Sequence, residues 1–374
     1  METAVLDRLH TEEFLVNMGP QHPATHGVLR LILKMDGEQV ISVTPDIGFL
    51  HRNFEKICEN RTYPQIMPYT DRLDYVAAMT NNWAYARTVE ALMKVEVPKR
   101  AEYLRVIFGE LQRIASHLVF WGCMGGDTGA VSPFLYGLRE RERILDLFEM
   151  TCGARLTVNY YRIGGVSKDL PAGFHEKAKA FVKYFKPKLK EYAELLSGNV
   201  IFQKRMKGIG NLSQNAALAL AVSGPVLRGS GIRWDLRKDE PYSVYPELQF
   251  EVPVGERGDA WDRYLVRFKE MEQSLQIVEQ ALDQIPPGDL LAKIPKVLRP
   301  PKGEVYVRTE CPRGELGFYL VSDGSTKPYR IKCRSSCFVH VSALPEMLDH
   351  KGHLIADAVV TLGSIDIVLG EVDR

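Results

Sequence analysis

The chain has 374 residues, which is enough for a large hydrophobic core and two or three sub-domains. Hydrophobic residues make up 45% and charged residues 25%, as in an ordinary globular protein. The 48 basic and 47 acidic side chains leave a formal net charge of +1, so no overall field attracts nucleic acid. We therefore expect no nucleic-acid partner.

Hydropathy argues against a membrane-spanning segment. The longest apolar runs, such as residues 216–222, are far shorter than the roughly 18 residues that a membrane-spanning helix needs. Residues 1–14 carry acidic side chains where a secretory signal would have basic and then apolar ones. We expect a cytoplasmic protein, one that can still dock onto a membrane-bound partner.

The first fifty residues alternate between apolar and polar side chains, which predicts a small antiparallel sheet from residues 12–19, 28–35 and 40–48. The loop after the first strand reads GPQHPATHG. Its two histidines, His22 and His26, are four residues apart and would share one face of a helix. Prolines and glycines surround them, however, so we predict a rigid loop instead.

Helical patterns dominate the middle of the chain. Apolar residues recur at helical spacing from Leu104 to Leu118, after Pro98, and again from Trp261 to Leu282, which predicts two long helices of a bundle. Residues 72–95 are apolar on nearly every face, so this helix is expected to be central and buried.

The C-terminal part begins with the proline-rich connector 285–303. Strand-like segments at 304–310, 316–323 and 329–334 follow, and then a helix over 353–364. The predicted fold class is therefore α+β. We divide the chain into an N-terminal sheet region (1–51), a helical bundle (52–284) and a small C-terminal α+β region (285–374) that packs back on the bundle.

No cofactor motif is present in the sequence. The six cysteines form no CxxC pair, and we interpret Cys333 and Cys337, four residues apart, as structural thiols. No glycine-rich dinucleotide or P-loop motif is found either. We expect the chain itself to bind neither metal nor flavin, and neither NADH nor ATP.

Several single residues could carry chemistry, although each also has an ordinary structural interpretation. His22, between two prolines, suits a loop-shaping role, whereas His26 suits proton delivery because histidine titrates near neutrality. Tyr75 lies at the start of the predicted buried helix and could simply pack. Asp127 lies in a glycine-rich turn that follows the first long helix and could simply cap it.

Three arginines, Arg139, Arg141 and Arg143, alternate with acids in the segment 138–149. The ordinary interpretation is a solvated helix face with ion pairs. The alternative is a surface that binds another protein of a complex.

Longer motifs identify a family. They are NMGPQHPATHGVLRL (17–31), GFLHRNFEK (48–56), RTYPQ (61–65), RLDYV (72–76), ELQRIASHL (110–118), LRERERILDLFE (138–149), RIGGV (162–166), RGELG (313–317) and SIDIVLGEVDR (364–374). In this order, and over nearly the whole chain, the sequence resembles the 49 kDa-type (D-type) subunit of respiratory complex I, the quinone-site subunit of NADH-quinone oxidoreductase.

The resemblance implies a fold like that of the nickel-iron hydrogenase large subunit. Such hydrogenases hold their metals with RxCxxC and DPCxxC motifs. The corresponding stretches here are RLDYVA and DIVLGE, which place Asp74, Ala77, Val368 and Glu371 at the thiolate positions. Without four soft ligands no nickel-iron centre is expected. By resemblance, a quinone headgroup enters the former metal cavity as a substrate.

The resemblance also implies roles for individual residues. His26 and Tyr75 would hydrogen-bond the two quinone carbonyls as catalytic donors, and Asp127 would hold His26 and share its proton. Val368 would line the deep end of the pocket. His22 would shape the loop and make at most a secondary contact with the quinone.

The resemblance further implies partners from complex I. Arg52 would lie beside the terminal iron-sulfur cluster, which the B-type subunit holds, and the C-type subunit and the H-type membrane subunit would be other neighbours. Quinone reduction would then be coupled to proton translocation. Two alternatives stay open: a metal-bearing hydrogenase-type large subunit, and a scaffold without a part in the chemistry.

Overall fold

The computed structural model describes residues 13–374 and begins with the predicted antiparallel sheet. Its strands are β1 (Glu13–Met18), β2 (Arg30–Asp36) and β3 (Gln39–Asp46), in that order across the sheet. Leu31, Leu33 and Met35 alternate onto the buried face of β2, as a half-buried strand requires. The expectation about a secretory signal in residues 1–14 rests on a segment that lies almost entirely outside the described residues.

Helices form most of the middle of the chain. They are α1 (Phe54–Cys58), α2 (Tyr63–Thr70), α3 (Ala78–Met93), α4 (Lys99–Asp127), α5 (Val131–Cys152), α6 (Phe174–Tyr192), α7 (Val200–Met206), α8 (Gln214–Ala219), α9 (Gly224–Gly229), α10 (Leu236–Asp239) and α11 (Ala260–Gln284). A short hairpin of β4 (Tyr161–Arg162) and β5 (Gly165–Val166) interrupts them. No helix in the described part of the chain is both long enough and apolar enough to cross a bilayer.

The two long helices confirm the predictions from their apolar stripes. Helix α4 begins directly after Pro98, which sets its start, and it packs along both α5 and α11. Helix α3 is buried over most of its circumference, as predicted. Two boundaries were wrong: α3 begins at residue 78, so Tyr75 lies in the turn before it, and Asp127 is the last residue of α4 rather than part of a following turn.

The predicted C-terminal strands and helix are also confirmed. The antiparallel strands β6 (Gly303–Cys311), β7 (Gly314–Ser322) and β8 (Arg330–Arg334) are followed by α12 (Ser336–Ser342), α13 (Leu344–Leu348), α14 (Ile355–Ile365) and α15 (Leu369–Asp373). The preceding connector, residues 285–302, contains neither a helix nor a named strand. The fold is therefore α+β, with an N-terminal sheet, a helix bundle and C-terminal strands.

Two hydrophobic cores hold these elements together. One joins the long helices to β6–β8, and the other joins the N-terminal sheet to the C-terminal helices α12–α15. Direct hydrogen bonds also join the N-terminal sheet region to the C-terminal helices. The Val43 N–H donates to Asp349 Oδ1 over 2.8 Å, and the Gly48 N–H donates to Asp373 Oδ1 over 2.9 Å. Both cores include residues from more than one of the three predicted regions. The division into three regions stays a prediction.

Candidate functional site

A cavity of about 450 Å³ lies beside the C-terminal end of α4. The loop 19–27, the turn 71–77 and the segment between α14 and α15 close it on the other sides, and His26, Tyr75, Asp127 and Val368 all line it. A second cavity of similar size, between α2 and the 285–302 connector, contains none of the predicted site residues. The first cavity is therefore the candidate site.

Local hydrogen bonds fix the histidine loop. Residues 23–25 form one 3₁₀ turn, and His22 caps it because its Nδ1 accepts the Ala24 N–H over 3.2 Å. The Thr25 hydroxyl donates to the His22 and Gly27 carbonyls. His26 ends the turn with φ of 54°, a left-handed conformation that a side chain other than glycine adopts at a cost. The segment is a loop and not an α-helix, as predicted, and it carries the imidazole into the cavity; its rigidity stays a prediction.

His26 and Asp127 form a buried pair. The imidazole Nε2 lies 2.8 Å from Asp127 Oδ2, and the two side chains are only 16% and 13% exposed. Burial lowers the pKa of His26, but the hydrogen bond to Asp127 and the negative charges of Asp127 and Asp366 outweigh it, so the pKa is raised above 6.5. The other ring nitrogen, Nδ1, has no hydrogen-bond partner within residues 13–374 and remains available to a ligand.

Gly363 of α14 makes room for this pair. A Cβ atom at position 363 would lie 2.6 Å from Asp127 Oδ2, 3.0 Å from Met124 Sδ and 3.6 Å from His26 Cε1. The first distance is too short for any side chain. Helix α14 can approach the histidine and the aspartate only because this residue is glycine.

Tyr75 supplies a second donor. Tyr75 is 38% exposed, and its hydroxyl has no hydrogen-bond partner in the described part of the chain. Burial of the ring raises the phenol pKa above 10, so the hydroxyl stays protonated near neutral pH. The Tyr75 hydroxyl therefore lies at the cavity and can donate its proton in a hydrogen bond to a ligand.

A buried charged cluster forms the back of the cavity. Arg313 donates through Nη1 to Asp74 Oδ2 over 2.6 Å and to Ser116 Oγ over 3.0 Å. Its Nε and Nη2 donate to the Asp366 carbonyl and to Asp366 Oδ1, over 2.7 and 3.1 Å. Burial raises the pKa of Asp74 to about 6 despite Arg313, with a further contribution from the nearby acids Glu371 and Asp366.

The positions that the resemblance aligns with thiolates are filled by this cluster and its neighbours. Asp74 binds Arg313, Ala77 is buried, and Val368 lines the cavity. Glu371 is buried and accepts hydrogen bonds from the Ser335 and Ser336 hydroxyls and the Cys337 thiol. Within residues 13–374 no three His, Cys, Asp or Glu side chains are arranged to hold a metal ion.

Two predicted residues lie outside the cavity lining. His22 is exposed and contributes only the loop cap. Arg52 is exposed on the outer side, where its Nη2 donates to the Arg72 carbonyl over 2.7 Å. Neither contacts the cavity in the isolated chain, and their predicted roles stay predictions.

Two of the three arginines of α5 pair with one buried acid, Glu140, whereas Arg141 has a buried Nε without a hydrogen-bond partner in the described part of the chain. Arg139 donates to Glu140 and to the Tyr192 hydroxyl, and Arg143 lies 3.7 Å from Glu140. The ordinary interpretation of a solvated face with ion pairs therefore holds only in part: Arg139 and Arg143 are about half exposed, but their acidic partner is buried. Binding of another protein of a complex there stays a hypothesis.

The sequence reasoning missed two residues of the site, Arg313 and Asp366. Both residues lie in motifs that carry the resemblance, RGELG and SIDIVLGEVDR. Their presence in these motifs is the sequence signal that could have identified them. Their contacts were not readable from the sequence, since Arg313 lies 239 residues from Asp74 along the chain.

Comparison with known proteins identifies the family. The family model for the respiratory-chain NADH dehydrogenase 49 kDa subunit matches residues 127–300 and 291–374. The D-type subunit of NADH-quinone oxidoreductase from Desulforamulus reducens is 56% identical over 365 residues, covering 98% of this chain and 99% of the relative. Its counterpart from Bacillus mycoides is 56% identical over 366 residues, covering 98% and 100%. The chain therefore belongs to the 49 kDa subunit family of the respiratory-chain NADH dehydrogenase.

Proposed function

We propose that this chain forms the quinone-reduction site of a proton-translocating NADH-quinone oxidoreductase. The observation that carries the proposal is one cavity that brings together two unused donors, His26 Nδ1 and the Tyr75 hydroxyl, with Asp127 behind the histidine. The relatives, named as subunits of NADH-quinone oxidoreductase, support the same reaction.

The donor pair fits the chemistry of a quinone. Reduction to the quinol takes two electrons and two protons, and negative charge develops on both carbonyl oxygens. Donors that already point at those oxygens stabilise this charge without reorganisation. His26 can donate from Nδ1 while Nε2–H is held by Asp127 only when its ring is doubly protonated, and the raised pKa favours that state.

Transfer of both protons leaves the site charged. His26 becomes neutral beside the Asp127 carboxylate, and Tyr75 becomes a phenolate in a half-buried position. Unbalanced charge in a poorly hydrated cavity is costly, so it drives proton uptake. The Asp74–Arg313–Asp366 cluster at the back of the cavity is suited to this uptake, because burial raises the pKa of Asp74.

Ionisable groups continue from the cavity into the bundle. Arg267 Nε lies 3.6 Å from Asp366 Oδ2. One turn further along α11, Glu270 binds His117 over 2.8 Å and Arg228 over 2.6 Å, all fully buried. We propose that these groups respond to the charge left by quinone reduction and begin its coupling to proton translocation.

Other proteins of the complex would surround the chain. Electrons would arrive near Arg52 from an iron-sulfur cluster held by the B-type subunit, with the C-type subunit and the H-type membrane subunit as further neighbours. The quinone is a substrate, and the chain needs no metal or flavin of its own. It would sit peripherally on the cytoplasmic side of the cell membrane.

Removing the charge of Asp127 tests the proton donor. In Asp127→Asn the pKa of His26 should fall, since burial remains and the carboxylate is lost. Fewer molecules then carry doubly protonated His26 at a given pH, so the alkaline limb of the pH profile for quinone reduction should move to lower pH. The NADH-driven quinone reductase rate of membranes, measured across pH, gives this shift.

Asp146→Asn is the matched control, because Asp146 is an exposed acid on α5 that pairs with Arg155. Its pH profile should equal that of the unmodified chain. A profile of Asp127→Asn that also stays unchanged would contradict the role of the pair. The pair also affects stability: its contribution is full below the ordinary histidine pKa and is lost as pH rises through the raised one.

Substitution of Gly363 tests the geometry of the same pair. In Gly363→Ala the added Cβ must displace Asp127, so we expect quinone turnover to fall about tenfold to hundredfold, as small misplacements of catalytic groups do. Ala356→Gly, at a partly exposed position of α14, is the control. It should weaken the helix by about 1 kcal/mol and leave turnover unchanged. Normal turnover in Gly363→Ala would contradict the claim that turnover depends on the exact placement of the Asp127 carboxylate.

A further inference from the structure

The second cavity, of about 470 Å³, lies between α2 and the 285–302 connector and is lined mainly by apolar side chains. Met67, Ile163 and Leu298 are buried and form its floor. Leu291 at its edge and Val297 of the same connector are large apolar residues that stay exposed. Exposed apolar side chains around a concave apolar surface mark a place that another molecule covers.

The walls of the second cavity are fixed to each other. The connector runs beside the β4–β5 hairpin, where the Val166 N–H donates to the Leu290 carbonyl over 2.9 Å and the Ala292 N–H donates to the Gly164 carbonyl over 2.8 Å. Between these two bonds, a Cβ atom at Gly165 would collide with the Leu290 carbonyl oxygen, so the approach requires glycine. The cavity is therefore already formed in the isolated chain.

The lining of the second cavity carries positive charge and no acid. Arg162 and Lys296 are its charged residues. Arg162 donates through Nη1 to the Asn159 and Tyr161 carbonyls, whereas its Nε and Nη2 have no hydrogen-bond partner in residues 13–374. Neither Arg162 nor Lys296 forms an ion pair with a described residue. A partly buried guanidinium without an acid beside it favours the approach of an anionic group from another molecule.

The lining lacks the free polar groups that would orient a small ligand. Asn159 is its one uncharged polar residue, and both ends of the amide are used: Nδ2 donates to Asp71 Oδ2 over 3.1 Å, and Oδ1 accepts from Arg162 Nη1 over 2.6 Å. Small-molecule sites usually present several polar groups placed to fix one orientation. An apolar centre with arginine at its rim is instead typical of a protein–protein interface.

We propose that the second cavity is a docking site for a segment of another protein of the complex. The segment would insert an apolar side chain over the buried floor and place an Asp or Glu carboxylate beside Arg162 and Lys296. Charge decides the kind of partner, because a basic or purely apolar segment would remove water from Arg162 without supplying an anion. The inference takes from the proposed function only that the chain works in a complex, and it makes no use of the quinone cavity.

Photo-crosslinking in the complete complex tests the partner. With the photoreactive amino acid benzoylphenylalanine in place of Leu291, irradiated membranes should yield a covalent product with one other protein of the complex. Mass spectrometry should place the linked residue within one helical turn of an Asp or Glu. The same amino acid in place of Leu218, which is exposed on α8 and does not line the cavity, is the control and should not give this product.

Three results of this experiment would overturn the inference. They are a linked lipid or second copy of this chain, a linked protein segment without an acid nearby, and the absence of any product at position 291. None of them bears on the proposed quinone site, since quinone reduction is not measured.

Charge reversal tests the carboxylate. Lys296 is exposed and makes no hydrogen bond within residues 13–374, so Lys296→Glu should leave folding intact. The yield of the crosslinked product should fall about tenfold or more, because like charges would face each other across the interface. Lys293→Glu is the matched control, since Lys293 is an exposed lysine of the same connector that does not line the cavity, and it should keep the full yield.

Replacing the partner's carboxylate, once located, with lysine should restore the yield in Lys296→Glu. A yield that falls equally in the Lys296 and Lys293 variants, or in neither, would overturn the inference.

Discussion

Replacing Tyr75 with phenylalanine should reduce the turnover of quinone reduction by about 10² to 10³-fold, the usual cost of losing one preorganised donor. The ring would still fill its place, but the second carbonyl oxygen would receive neither a hydrogen bond nor a proton from this side. The hydroxyl has no partner in residues 13–374, so its removal should leave folding and assembly intact. NADH-driven quinone reduction in membranes, normalised to the amount of assembled complex, measures the loss.

Tyr329→Phe is the matched control. Tyr329 is 69% exposed in the C-terminal region and does not line the cavity, so this variant should retain full turnover. Electron transfer to a hydrophilic acceptor, which bypasses the quinone, should stay normal in both variants. Unchanged quinone turnover in Tyr75→Phe would favour the scaffold alternative.

Replacing Arg313 with methionine should destabilise the protein by about 3–5 kcal/mol, because it leaves the buried acids Asp74 and Asp366 without their partner. The cluster joins β6–β7, the turn before α3, α4 and the end of α14, so its loss should also disorder the back of the cavity. The thermal stability of the purified complex and the amount of assembled chain in membranes measure the effect.

Arg330→Met provides the comparison. Arg330 also pairs with two acids, Glu55 and Glu59, but its side chain is 44% exposed. Exposed pairs contribute only about 0–1 kcal/mol, so this variant should assemble and remain nearly as stable as the unmodified chain. An equal loss of stability in the two variants would mean that the buried cluster stabilises the protein no more than an exposed ion pair does.

Much of the fold was predictable because burial leaves a periodic trace in the sequence. The apolar stripe from Leu104 to Leu118 identified α4, and alternation identified β2 and the C-terminal strands. The boundary of α3 was predicted wrongly for a physical reason. The Asp74 side chain accepts the Val76 N–H over 3.1 Å, which favours a turn over a first helical residue, and helical periodicity does not report such competition.

The site was predictable only in part. The residues named from the resemblance, His26, Tyr75 and Asp127, lie in one cavity, although His26 and Asp127 are 101 residues apart along the chain. The contacts that surround them depend on tertiary structure. No local pattern indicates that Arg313 binds Asp74 and Asp366, or that Gly363 is needed for the approach of α14.

The central claim is that a quinone headgroup binds between His26 and Tyr75. A structure of the complete complex with a bound short-chain quinone tests it most directly. We predict one carbonyl oxygen within about 3.2 Å of the His26 imidazole and the other within the same distance of the Tyr75 hydroxyl. A headgroup bound in another cavity, with neither side chain in contact, would contradict it.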